Sequence, residues 1–272
     1  MNLPAICKRY LASRAVCGAY SAHVARIAGL CREPTTARIN QYLKARLDRV
    51  SPITVKNERT IILCLIKYAW ENDLIDQPVK GVMRVKSRKP PTKAWTVEEL
   101  KRALARTERY GNRAFKCGAR ISDVLRAWIL LGYETGARFG DIWSFSDANL
   151  DGDTIRWTQA KTGDGIVKML SPACMDAIKA VMAGSPDGRI VGWVCRRRQA
   201  MRTMREHLDA CRLDGSSKWL RRSGATHIEM SEPGKASLHL GHRTPTLAAQ
   251  SYIDWGQVRK TTPRTPALAE HT

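Results

Sequence analysis

No apolar run in this sequence is long enough to cross a bilayer. The longest, TIILCLI from Thr60 and AWILLGY from Ala127, are seven residues each, against the roughly 20 that a spanning helix needs. The N-terminal stretch MNLPAICKRYLASRAVC lacks the charged start, apolar run and small-residue cleavage site of a secretory signal, so a cytoplasmic protein is expected. The eight cysteines (Cys7, Cys17, Cys31, Cys64, Cys117, Cys174, Cys195 and Cys211) form no CxxC pair and no Cys/His cluster at zinc-ligand spacing. Reduced thiols are expected, with neither metal nor cofactor. Internal repeats and low-complexity tracts are also missing. Acids are scarce: 25 Asp and Glu face 46 Lys and Arg, a formal charge of +21. Disorder does not account for that imbalance, because 43% of the residues are hydrophobic. A folded chain this basic binds a polyanion, and without a membrane element double-stranded DNA is the leading choice.

At 272 residues the chain can hold two domains. The first eighty or so residues read as helices: TARINQYLKARL places Ile39, Tyr42, Leu43 and Leu47 on one face. The segment after Ser51 does the same with Ile61, Leu65 and Tyr68, with Ile62, Ile66 and Ala69 beside them. RVKSRKPPTK follows, with Arg84, Lys86, Arg88, Lys89 and Lys93, no acid and two prolines, which reads as a phosphate-tracking linker over 84–94. Thr96 and Glu99 then make a capping box that opens a second domain. Within it, an apolar helix over Ser122–Glu134 stops at Gly136. LDGDTIRWTQAKTGDGIVKML predicts a small antiparallel sheet with Lys161 near a hairpin tip. Ser171 and Pro172 start another helix. In RRRQAMRTMREHLDAC, Met201, Met204, Leu208 and Cys211 form the expected buried stripe, and Arg198, Arg202 and Arg205 a second stripe able to follow a DNA backbone. Residues 256–272 read as a tail outside the core. The fold class is mainly α with a small antiparallel β-sheet.

KWLRRSGATH raises the functional question. Lys218, Arg221 and Arg222 repel one another at i, i+3 and i+4, which suits an anion facing them. Three further stretches carry chemistry-bearing residues: ETGARFGDI with Arg138 and Asp141, QAKTGDG with Lys161, and LGHRTPTLAAQSYID with His242 and Tyr252. In this order the set resembles the tyrosine recombinase (phage integrase) family of site-specific DNA strand-exchange enzymes. The resemblance covers about Trp95 to Trp255. More weakly, TVKNERTIILCLIKYAWENDLI followed by QPVKGV looks like that family's helical, SAM-like core-DNA-binding domain over 1–83.

The resemblance implies roles. Arg138 and Arg221 would hold the nonbridging oxygens of the scissile phosphate, for which guanidinium forks are suited. Tyr252 would be the nucleophile that leaves a 3′-phosphotyrosine and a free 5′-hydroxyl, so that rejoining needs no ATP, while the two guanidiniums would stabilise charge without a metal. Lys161 would be the general acid and His242 a phosphate contact or proton carrier. Asp141 and Arg222 would support the site from behind. The family's usual HxLRH pattern reads KWLRR here, and an ammonium at Lys218 is a donor only, so its role is electrostatic. The implied machine is a two-domain clamp on duplex DNA, acting as a homotetramer on two sites. A type IB topoisomerase-like nicking and closing enzyme, and a catalytically silent DNA-binding relative, are the rival expectations.

Overall fold

Three of the four N-terminal helices begin on a side chain that accepts a backbone N–H three residues ahead. Asn2 opens α1 (Leu3–Ala12), Thr35 opens α3 (Thr36–Leu47) and Ser51 opens α4 (Pro52–Glu71); α2 (Gly18–Cys31) lacks such a cap. These come from a computed structural model that describes residues 1–88 and 90–261, without the side chains of Lys260 and Thr261. The chain divides into two compact units, Met1–Pro90 and Pro91–Thr272, and the division falls inside the proline-containing stretch 84–94.

In the first unit the four helices bury one apolar cluster that includes Leu3, Ile6, Val24, Ile27, Ile39, Leu43, Val55, Ile62, Leu65 and Ala69. Inside it lies Glu58, 0% exposed. Its carboxylate accepts from Arg46 Nε and Nη2 at 2.9 and 2.8 Å, from Tyr42 Oη at 2.8 Å and from Arg26 Nη2 at 3.3 Å. Four charge-assisted bonds make that burial tolerable. Beyond α4 the chain runs extended and is held at residues 80–83: Thr36 Oγ1 donates to Lys80 O, Asn40 Oδ1 accepts Met83 N–H, and Arg59 donates to the carbonyls of Val82 and Met83. From there Val85 packs inward while Arg84, Lys86 and Arg88 project outward, the period-2 alternation of an extended segment. Lys93 is exposed as well, and Lys89 lies outside the described residues.

The second unit opens on the capping box. Thr96 N–H donates to Glu99 and Glu99 N–H to Thr96 at the start of α5 (Val97–Ala105), and a 3₁₀ turn, Arg106–Tyr110, follows. α6 (Ile121–Glu134) has buried residues on most of its circumference, including Leu125, Trp128, Ile129 and Leu131, which makes it the centre of the core. α7 (Phe139–Ser144) leads into an antiparallel sheet of β1 (Leu150–Asp151), β2 (Thr154–Thr158) and β3 (Gly165–Met169) in that order. Ile155 and Trp157 face the core, opposite Lys168 and Ile166 on β3. Then come α8 (Pro172–Met182), capped by Ser171, and α9 (Arg197–Ala210). α10 (Lys218–Ser231), α11 (Ala236–His239), α12 (Pro245–Ser251) and α13 (Trp255–Thr261) complete the unit.

The architecture is therefore mainly helical with one small antiparallel sheet, as the sequence predicts. Two details differ. Met201 is 38% exposed, and the buried line of α9 runs through Ala200, Met204, His207 and Leu208. His207 takes the inner place because its Nε2 pairs with Ala103 O at 2.9 Å. The segment after Trp255 is not all outside the core either: it forms α13, where Val258 packs near Ala225 and Ile253, and Gln257 donates to Ala94 O. The expected tail beyond Thr261 lies outside the described residues.

Candidate active site

The turn that ends α6 sets the first guanidinium. Thr135 Oγ1 donates back to Leu131 O and accepts Ala137 N–H, and Gly136 adopts φ +59°, where a side chain would be strained and would meet the His239 ring. The chain re-enters helix at Arg138, whose Nη1 donates to Gln159 Oε1 at 2.5 Å. The same Oε1 accepts Thr162 Oγ1 at 3.1 Å, and Gln159 Nε2 donates to Leu240 O at 3.0 Å.

Arg221, in the first turn of α10, is 3% exposed. Its Nη1 donates to Gly136 O, and its Nη2 to Leu240 O at 3.0 Å and to His242 Nε2 at 2.9 Å; Nε has no partner. Among the described residues no carboxylate bonds to it. Burial pulls the guanidinium down to about 10, the nearby Tyr252 opposes this and Arg138 adds to it.

His242 accepts from Arg221, so its ring proton sits on Nδ1, which is buried and unpaired. Burial, then Arg221 and Arg138, push it down to about 4, and the imidazole is neutral at pH 7. Tyr252 follows α12 and lies with its ring centroid 5.0 Å from that of His242, 5.0 Å from Arg221 Cζ and 5.6 Å from Lys218 Nζ. Burial alone would raise the phenol. Arg221, Lys218 and Arg138 outweigh it, and the hydroxyl titrates below the ordinary phenol range. The backbone is fixed by α10: Thr226 Oγ1 bonds Tyr252 O at 3.4 Å and accepts Asp254 N–H at 2.9 Å.

Lys161 is exposed on the turn between β2 and β3. The base of that turn is anchored to both arginine segments: by Gln159, and by Asp141, whose Oδ1 accepts Ala160 N–H at 3.2 Å. Asp141 is thus a clamp on the hairpin backbone, and no ion pair joins it to Arg138 among the described residues. On the outer side Arg243 donates to Asp164 Oδ1 at 3.0 and 2.8 Å. Arg222 has its guanidinium 5.9 Å from the Trp219 ring; burial pulls it down, and Tyr252 is near enough to oppose this.

The structure thus brings Arg138, Lys218, Arg221, His242 and Tyr252 around one position, with Lys161 on a turn tied to it. Arg198, Arg202 and Arg205 are exposed on α9. Arg202 pairs with Glu206 at 3.4 Å and Arg205 with Asp209 at 3.0 Å, both on the same helix. Sequence reading overlooked Gln159, 1% exposed between the two arginines; His239, 7% exposed, is a packing residue. His239 lies against Gly136 and Gly224 with Nε2 unpaired, and burial, with Lys168 and Arg221, holds it down to about 3. The one sequence signal for Gln159 is its place two residues before Lys161.

Chemically, the arrangement is a cationic floor beneath a half-buried phenol; among the described residues no carboxylate bonds to Arg138 or Arg221, and Asp141 favours the Arg221 charge only from a distance. Such a floor favours an oxyanion, and the phenol stands where it can attack one. Among the described residues no group of three or more His, Cys, Asp or Glu side chains is placed to hold a metal ion, and no helix is long and apolar enough to cross a membrane.

No family model and no curated relative matches the chain. Solved structures do. A lambda integrase dimer bound to a core site superposes with TM-score 0.77 at 18% identity, over 99% of this chain and 81% of that one. The Tn1549 transposon integrase in complex with circular intermediate DNA gives 0.67 at 12%, over 96% and 98%. The XerH recombinase bound to its difH substrate gives 0.62 at 13%, over 83% and 69%. All three are tyrosine recombinases, and the chain has their fold.

Proposed function

We propose that the protein is a site-specific DNA recombinase that breaks and rejoins strands through a covalent bond to Tyr252, acting in the cytoplasm on double-stranded DNA. The observation that carries this reading is the Tyr252 ring lying against Arg221, Lys218 and His242 with its hydroxyl shifted toward ionisation.

A scissile phosphate seated on Arg138 and Arg221 presents its phosphorus to Tyr252 Oη. Attack forms the Tyr–O–P bond and breaks the bond from phosphorus to the 5′-oxygen. Charge that develops on the nonbridging oxygens meets two guanidiniums whose positions are fixed before the DNA arrives, which is worth about 10²–10³ in rate per donor. The leaving 5′-oxygen takes a proton from Lys161, whose exposed turn can reach the duplex. The phenol proton needs an acceptor, and Lys218, a cation, is not one. Once the phosphate draws Arg221 Nη2, the Nε2 of neutral His242 is free to take it. Every step reverses when a 5′-hydroxyl of the partner strand attacks the phosphotyrosine, so no nucleotide is consumed.

Arg84, Lys86, Arg88, Lys89 and Lys93 would follow the DNA backbone, as would Arg198, Arg202 and Arg205, and supply salt-sensitive affinity. Strand exchange between two sites calls for a homotetramer. A pool of nicked duplexes with randomised sequence tests the reading. The unaltered protein yields a denaturant-resistant protein–DNA adduct whose trapped strands share a sequence, and Tyr252→Phe yields none. No adduct with the unaltered protein leaves a DNA-binding protein only; an adduct with plasmid relaxation and no exchange between two trapped sites leaves a nicking-closing enzyme.

A further inference from the structure

Gln159 ties together three parts of the site that are far apart in sequence. Its Oε1 accepts from Arg138 Nη1 and Thr162 Oγ1, while its Nε2 donates to Leu240 O, the carbonyl that also accepts from Arg221 Nη2. One amide and one carbonyl therefore join the two guanidiniums in an unbroken chain of hydrogen bonds. Its backbone closes the turn that carries Lys161: Gln159 N–H donates to Asp164 O, and Gln159 O accepts the N–H groups of Thr162 and Gly163. The contact with Leu240 needs Gly241 at φ +61°, since a Cβ there would stand 2.8 Å from Gln159 Nε2. No other residue type of this size serves. A carboxylate would turn an oxygen toward the Leu240 carbonyl, and an apolar side chain would leave Leu240 O one donor short and Arg138 without its acceptor.

We infer that Gln159 is the positioning residue of this site: it holds Arg138 at a fixed offset from Arg221 and registers both against the Lys161 turn. The inference rests on the recombinase reading. A misplacement of about 1 Å in such a constellation costs about 10²-fold in rate.

The test compares Gln159→Leu, which removes both polar ends at similar volume, with Gln159→Glu, which keeps an acceptor for Arg138 and loses the donor to Leu240. Each is assayed for single-turnover adduct formation on a trapped nicked duplex, and for binding to the same duplex. Both variants are expected to bind within about twofold of the parent and cleave about 100-fold more slowly. A substrate with sulfur in place of the 5′-bridging oxygen separates the acid from the arginines, because a thiolate leaves without a proton. It restores Lys161→Ala and leaves Gln159→Leu slow. Parental cleavage by Gln159→Leu overturns the inference. So does its full rescue by the sulfur substrate, which would reduce Gln159 to a support of the hairpin alone.

Orthovanadate binding, followed by vanadium NMR, needs no cleavage. Gln159→Leu is expected to bind about tenfold more weakly, and unchanged affinity overturns the inference even if the parent never forms an adduct, an outcome that by itself sinks only the recombinase reading. If Gln159→Leu does not fold, the isosteric Gln159→Glu carries the same measurements.

Discussion

Glu58 in the N-terminal unit and Arg221 in the C-terminal unit are both withdrawn from solvent, yet their surroundings differ in kind. Glu58 is enclosed by Arg46, Arg26 and Tyr42, so its charge is answered on the spot. Arg221 donates to two backbone carbonyls and a neutral imidazole, its Nε is unpaired, and no carboxylate among the described residues bonds to it; Tyr252 and Asp141 favour its charge from nearby and Arg138 opposes it. A buried charge that only maintains a fold is closed by its counter-ion. A buried charge kept for a ligand is left open, at a cost the fold bears elsewhere.

Mutation can break that contrast. The largest effect is Tyr252→Phe, which is expected to lower adduct formation by roughly 10⁴-fold or more, with binding to duplex DNA retained in a filter or anisotropy assay. Arg221→Met comes next: cleavage falls about 10²–10³-fold, while the thermal midpoint falls less than for Glu58→Gln, because no partner charge is stranded. Glu58→Gln reverses the pattern. It is expected to cost about 3 kcal/mol of stability in a denaturant titration, since Arg46 and Arg26 lose their anion, and to leave single-turnover cleavage by the folded protein unchanged.

Acid sharpens the contrast further. His239 and His242, held down to about 3 and about 4, are neutral in the fold and take up protons more readily when unfolded. Their contribution to stability is complete above the ordinary histidine range and is lost as pH falls through it toward those values. The midpoint of thermal unfolding should drop from pH 7 to pH 4, and His239→Leu should flatten that slope. The smallest effect is expected for Lys218→Gln. Without that ammonium the Tyr252 phenol titrates higher, and the alkaline rise of the cleavage rate moves to higher pH. A downward move would contradict the electrostatic role of Lys218.

Helix starts were legible in the sequence because they depend on neighbours in the chain. Thr96 and Ser171 cap what their positions predict, and the β2–β3 hairpin follows from Ile155, Trp157 and the Thr162–Gly165 turn. Arg138, Arg221, His242 and Tyr252 were legible as a family pattern, and the structure gathers them. Gln159 was not, because its partners Arg138 and Leu240 stand 21 and 81 residues away, and a polar residue at a strand end carries no mark of burial. Glu58 was hidden in the same way: on α4 it reads as one acid among surface polar residues until Arg26, Tyr42 and Arg46 fold over it. Met201 was misread because an apolar stripe does not reveal that His207, paired to Ala103 O, claims the inner face of α9.

Thr226 sits on α10 one and a half turns beyond Arg221 and holds the peptide on either side of Ile253. The aromatic ring and the guanidinium beneath it are therefore held together within one chain, and under the proposed function each subunit is expected to cleave with its own tyrosine. Chains lacking Tyr252, stirred together with chains lacking Arg221, would make two inert populations with nothing to lend each other.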